Sequence, residues 1–160
     1  MRKFEFVTRI FTQGYDGKFM DIASLQKPQR STEYSAGYDF MAIADQIVPP
    51  YHIGDVPTLV PTGIKANMPD DEFLMLVNRS SNPKKKKLVI PNSIGIIDSD
   101  YYGNDDNDGE IFFAFYNLSS EPITIKKGEK IGQGIFMKYL TTDDDITNGK
   151  RSGGFGSTGA

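Results

Sequence analysis

The chain contains no cysteine and a single histidine. Without thiols it has no disulfide, no cysteine nucleophile and no thiolate metal site, an absence that suits a reducing compartment. One histidine, His52, cannot build a histidine-rich metal centre. It stands in Tyr51-His52-Ile53 with no partner evident in the sequence, and no role is assigned to it. No apolar run approaches the roughly 18 residues of a membrane span. The opening Met1-Arg2-Lys3-Phe4-Glu5-Phe6 lacks the apolar stretch of a signal peptide, so a cytoplasmic location is expected. Charge of one sign is also scarce: 21 acids against 18 bases leave a net charge of −3. No broad field recruits nucleic acid or an anionic membrane. An anionic substrate would have to be met locally, by a few placed arginines.

What is present suits one folded domain. The 160 residues are 38% hydrophobic, enough for an ordinary core. Short alternating runs dominate. Phe4, Phe6 and Ile10 stand between charged or polar neighbours, as in a half-buried strand, and 73–77 and 111–116 are apolar runs bounded by polar residues. Ile123-Thr124-Ile125 and Ile131-Gly132-Gln133-Gly134-Ile135 alternate again. Turn signals such as Val48-Pro49-Pro50, Pro61-Thr62-Gly63 and Lys127-Gly128 punctuate the runs. The pattern predicts an all-β sandwich or barrel. One short helix is predicted just after Arg79, where Ser80-Ser81-Asn82 precede Pro83 at the first helical position. Residues 1–140 read as the β domain. Residues 141–160 read as a C-terminal arm, polar and acidic at first, then rich in Gly and Ser.

Several clusters carry chemistry. The tail Arg151-Ser152-Gly153-Gly154-Phe155-Gly156-Ser157-Thr158-Gly159 reads either as a plain flexible terminus or as a phosphate clamp. In a clamp, glycines let backbone N–H groups approach an anion, Ser157 and Thr158 add hydroxyls, Arg151 adds a forked permanent charge, and Phe155 covers a base. No Gly-Lys-Ser/Thr follows the glycines, so it is not a Walker loop. Arg79-Ser80-Ser81 before the helix suits either capping or phosphate binding. The lysines at 84–87 read as a solvated face. Asp98 follows an apolar strand and precedes a turn, where it serves either as a turn cap or as a base toward water; Tyr101 is either core or a flat face for a sugar. Asn104, Asp106, Asp108 and Gly109 fall at positions one, three, five and six of a calcium loop, but position twelve is Phe115 rather than Glu. Residues 104–109 are therefore read as an exposed acidic loop.

In order, Ala36-Gly37-Tyr38-Asp39-Phe40, Arg79-Ser80-Ser81, Gly95-Ile96-Ile97-Asp98-Ser99-Asp100-Tyr101, Gly128-Glu129-Lys130-Ile131-Gly132-Gln133 and the 151–159 tail resemble the five motifs of the trimeric dUTPase family. The likeness spans residues 36–159. It implies a jelly-roll-like β-barrel and a homotrimer with active sites between subunits. It also implies hydrolysis of dUTP to dUMP and pyrophosphate, which clears dUTP from DNA precursor pools and supplies dUMP. By the same likeness Asp98 activates water, and Tyr101 packs under the deoxyribose. Asn92 and the backbone near it, with Gly95 and Ile97, form the uracil pocket. Arg79, Ser80, Ser81 and Gln133 bind phosphates. Asp39 helps organise Mg²⁺, held mainly by the triphosphate, through water. Phe155 stacks on uracil, while Arg151, Gly156, Ser157 and Thr158 close over the nucleotide. The sequence departs from the pattern at Phe40, at Gly132 where Ala is commoner, and at Ser152. The acidic stretch at 104–109 is an insertion resembling a subgroup from Gram-positive bacteria and their phages, and a candidate surface for a regulatory partner. Two alternatives stay open: a nucleotide-switched regulatory binding protein, and a dCTP deaminase of the same fold.

Overall fold

The structure, a computed structural model, describes residues 1–149 except 16 and 19, together with Arg151 and Gly153. Among the described residues twelve strands run in chain order: β1 (Lys3–Phe6), β2 (Gln29–Arg30), β3 (Tyr38–Met41), β4 (Gln46–Val48), β5 (Thr58–Pro61), β6 (Ile64–Asn67), β7 (Glu72–Asn78), β8 (Leu88–Val89), β9 (Ile94–Asp98), β10 (Phe112–Asn117), β11 (Ile123–Ile125) and β12 (Lys130–Lys138). The largest sheet has the order β2-β3-β12-β7-β9, and smaller sheets pair β5-β10-β8, β1-β6 and β11-β4. Every strand pair is antiparallel. The architecture is the expected all-β, jelly-roll-like one.

The alternation seen in sequence becomes alternation in burial. In β10, Phe113, Phe115 and Asn117 point inward; in β7, Glu72, Leu74 and Leu76 do. A strand turns successive side chains to opposite faces, so one apolar residue in two suffices for a face against the core. That core gathers Phe4, Phe40, Leu74, Phe113, Phe115, Ile125 and Ile131 between the sheets. A smaller cluster of Val7, Ile10 and Ile43 closes one end. Glu72 is buried in the strand face and is matched by Arg2, as a buried carboxylate must be.

Four expectations need correction. The N-terminal strand stops at Phe6, and Ile10 lies on a separate helical turn, α1 (Arg9–Thr12). The break is imposed from a distance: the Thr8 N–H and hydroxyl both donate to Asp108, at 2.8 and 2.9 Å. The predicted helix exists at Asn82–Lys86, but Asn82 comes first and Pro83 falls inside the first turn. Further helical turns form at Ile22–Ser24 and Ser99–Tyr101, so there is more than one short helix. The lysine run is not wholly solvated: Lys86 is half-buried and paired with Glu129. No helix among the described residues is long and apolar enough to cross a membrane.

Candidate active site

A cavity of about 430 Å³ opens beside β9, lined by Asn92, Gly95, Ile97, Asp98, Tyr101 and Arg151, with Leu76, Ile90, Ile96 and the Phe112-Phe113-Ala114 stretch of β10 completing the wall. Its size and its mixture of apolar walls with a few polar groups suit a small ligand. All five residues expected to hold the nucleoside and its attacking water line this one cavity. The local sequence explains why. Gly95 faces Leu76, whose Cβ would lie 3.2 Å from an added side chain, so glycine lets β9 run close against β7. Asp98 ends the strand with extended backbone, and the chain then turns through Ser99–Tyr101. That turn leaves the Asp98 carboxylate half-exposed at the cavity while Tyr101 is driven inward.

Tyr101 is held by both functions of its hydroxyl. It donates to the Glu110 carbonyl at 3.0 Å and accepts from the Asn107 amide at 2.7 Å. Burial pushes its hydroxyl pKa up, keeping the ring neutral. Arg151 brings the C-terminal segment to the cavity. Its guanidinium pairs with Asp98, its Nε donates to Asp100 at 2.6 Å, and its Cζ lies 6.0 Å from the Tyr101 ring centroid. Residues 141–149 lead there exposed and without regular structure. Phe155, Gly156, Ser157 and Thr158 lie outside the described residues.

The remaining expected residues form a second cluster. Asp39 and Gln133 face each other across β3 and β12, and the Gln133 amide donates to Asp39 at 2.9 Å. Gly37 makes room for this contact, because a β-carbon there would lie 2.9 Å from Gln133 Oε1. Asp39 also accepts from Ser31 at 2.6 Å and from Lys130 at 2.7 Å. Burial raises its pKa, but these hydrogen bonds and the lysine charge outweigh it and bring the group down to about 2. Arg79 reaches the Lys130 carbonyl at 3.1 Å. Ser80 and Ser81 sit beside it at the start of the Asn82–Lys86 turn, and Ser81 makes no side-chain cap. Ordinary capping is therefore not what Ser81 does. Asp39 does not stand as a bare metal ligand, since both its oxygens are engaged within the protein. Among the described residues no group of three or more His, Asp or Glu is placed to hold a metal.

The two clusters do not meet within one chain. Asp98 pairs with Phe73 at one end of β7, whereas Arg79 follows Asn78 at the other end. Six residues of extended chain separate those backbone positions by about 20 Å.

Sequence reasoning missed Asn107, Asp100 and Lys130. Lys130 and Asp100 both stood inside quoted motifs, so their charges beside Asp39 and Asp98 were within reach; Asn107 acts through a contact no spacing rule reveals. The acidic stretch is also corrected. Rather than an exposed loop, it folds inward: Lys65 binds Asp108 at 2.8 Å, Gly109 is buried, and only Asp105 and Asp106 stay fully exposed. His52 is exposed and lies 3.4 Å from Asp55, away from both clusters.

An antiparallel jelly-roll-like barrel with a nucleoside-sized cavity, a carboxylate at its edge and an arginine brought over it from the C-terminal segment defines a small-molecule-binding β protein with hydrolytic equipment. The dUTPase family profile matches residues 23–159. A deoxyuridine 5'-triphosphate nucleotidohydrolase from Lactococcus lactis subsp. lactis (strain IL1403) is 49% identical over 140 residues, covering 86% of this chain and 91% of that protein. The crystal structure of a dUTPase from Streptococcus mutans superposes with a TM-score of 0.73 at 36% identity, covering 88% of this chain and 98% of that one. A mutant dUTPase from phage phi11 of S. aureus, described with a structural Mg(II) ion, shares the fold at a TM-score of 0.66 and 15% identity, covering 93% and 97%. The chain belongs to the dUTPase family.

Proposed function

We propose that this chain carries out its family's reaction, hydrolysis of dUTP to dUMP and pyrophosphate, by attack of water on the α-phosphorus with Asp98 as the base. The observation that carries this reading is that Asn92, Asp98 and Tyr101 line one cavity with Arg151 lying across it. Asn92 and the backbone beside it read the uracil edge. A pocket built for that edge leaves donors or acceptors unmatched against cytosine, which is strongly disfavoured. Tyr101 packs under the deoxyribose. When a triphosphate enters, its oxygens compete for Arg151 and release Asp98 to a water. Asp98 takes one proton as the water oxygen bonds to phosphorus, the α–β bridging P–O bond breaks, and pyrophosphate leaves. Arg79, Gln133, Ser80, Ser81 and Arg151 stabilise the charge on the departing phosphates. Phe155, Gly156, Ser157 and Thr158 complete the clamp over uracil and phosphate.

Mg²⁺ held mainly by the triphosphate would offset its charge and fix its conformation. Among the described residues no group of carboxylates and His is placed to cage it. Asp39, tied to Lys130 and Gln133, keeps those two donors aimed and would help organise the ion through water. The enzyme works as a cytoplasmic homotrimer. The separation of Asp98 from Arg79 supports active sites assembled between subunits, with the nucleoside pocket from one copy and the phosphate donors from another.

The test is pyrophosphate release from a panel of deoxynucleoside triphosphates with Mg²⁺, for the wild type and Asp98→Asn. The expected result is turnover of dUTP alone, with the variant binding dUTP normally but losing about 10²–10⁴ in kcat. Near-normal kcat in the variant overturns the base assignment, and ammonia from dCTP overturns the substrate.

A further inference from the structure

The acidic insertion reaches the Tyr101 hydroxyl through Asn107. Its amide is fixed at both ends: Nδ2 donates to the Tyr101 hydroxyl at 2.7 Å, and Oδ1 accepts the Gly109 N–H at 3.0 Å. That pattern sets the direction of the next bond, because the Tyr101 O–H must then donate onward to the Glu110 carbonyl at 3.0 Å. The loop itself is pinned. Asp108 accepts from Lys65 and from the Thr8 N–H and hydroxyl. Gly109 takes a left-handed φ of +79°, and a β-carbon there would stand 2.5 Å from the Tyr101 carbonyl, so glycine lets the loop close onto the tyrosine's backbone as well as its ring.

We propose that Asn107 is a positioning residue for Tyr101, and that through it the insertion sets how strictly the cavity excludes a ribose 2′-hydroxyl. This rests on the reading of Tyr101 as the surface under the sugar. A flat ring rejects one extra hydroxyl only if it cannot retreat, and a retreat of about 1 Å is enough to admit the oxygen or to misplace a reacting group. With the Tyr101 hydroxyl clamped between Asn107 and Glu110, the ring has no such freedom. Asn107 does not line the cavity, so its effect falls on discrimination rather than on chemistry.

The experiment compares kcat/KM for dUTP and UTP in the wild type, Asn107→Ala, Asn107→Asp, Tyr101→Phe, Tyr101→Leu and the Asn107→Ala/Tyr101→Phe double variant, with melting temperatures for each. In Asn107→Ala the dUTP/UTP preference is expected to fall roughly tenfold, through a lower KM for UTP, while kcat for dUTP stays within about threefold of wild type. Tyr101→Phe, which loses this hydrogen bond and the one to Glu110 as well, should lose at least as much preference, and the double variant should show no loss beyond that of Tyr101→Phe. Asn107→Asp keeps the shape but cannot donate when ionised, so it should behave as Asn107→Ala even if the alanine form folds poorly. An unchanged preference in both Asn107 variants, or multiplicative losses in the double variant, overturns the proposal. If Tyr101→Leu also leaves the preference intact, the assignment of Tyr101 to the sugar fails instead.

Discussion

Gly132 leaves its β-position to the Phe113 ring: a methyl group there would clash with the ring at Cε1 and stand only 2.5 Å from Cδ1 and 2.6 Å from Cζ. The contact joins β12, at its bulge beside Lys130, to β10 across the core. It accounts for glycine at this position. Gly132→Ala should therefore destabilise the protein by about 1–3 kcal/mol through overpacking. Urea unfolding reads the loss. Placed on a Phe113→Leu background, where the ring is gone, the same substitution should cost much less. Equal costs on both backgrounds would mean that the ring is not what forbids the side chain.

Because Asp98 and Arg79 lie at opposite ends of β7, a site that needs both must draw them from different copies. Asp98→Asn and Arg79→Ala homotrimers should each be nearly inactive. Refolded together in equal amounts, they should recover roughly a quarter of wild-type activity, since that fraction of intersubunit sites draws both wild-type residues from random assembly. No recovery in a mixture that forms trimers would place both residues within one subunit's site.

Arg151 uses two directions of its guanidinium at once, one toward Asp98 and one toward Asp100. A lysine keeps the charge but loses the fork. Arg151→Lys is expected to lower kcat/KM by roughly tenfold, and removal of residues 151–160 to abolish most turnover. Neither change should move the melting temperature much, because the described residues from 141 onward contribute nothing to the two core clusters. An active truncation would remove the clamp from the mechanism.

Much of this was legible in the residues themselves. The alternation in β7, β10 and β12 is the direct record of which side chains face inward, and Asn92, Gly95, Ile97, Asp98 and Tyr101 converge because a single strand and its turn carry them. The errors share one cause, contacts that are distant in sequence. Ile10 continued the two-residue period of Phe4 and Phe6, and only Asp108, a hundred residues away from Thr8, shows why the chain turns there. Residues 104–109 read as solvated because their charges have no local partners; Lys65 and Tyr101 supply them in the fold. The partners of Asp39, Lys130 and Ser31, went unread for the same reason, because they are brought to it by sheet pairing alone.

The Asp39 network gives a defined dependence on acid. Burial of Asp39 works against its charge, but hydrogen bonds from Lys130, Ser31 and Gln133 prevail, and its pKa falls from 3.8 to about 2. The folded state thus binds fewer protons than the unfolded one between those values. The group's contribution is complete above its unfolded pKa and is lost as pH falls toward 2. A depression of this size corresponds to about 2 kcal/mol. Other carboxylates titrate nearby, Asp108 among them, so the quantity to read is the difference between wild type and Asp39→Asn. Unfolding free energies from about pH 5 down to about pH 2.5 should show wild type losing stability faster than the variant, and the gap between them closing by about 2 kcal/mol. Parallel curves across that range would mean that the Lys130 pairing contributes nothing to the folded state. Because Gln133 is held by the same carboxylate, Asp39→Asn should also raise KM for dUTP at neutral pH, where the stability difference alone leaves the protein folded.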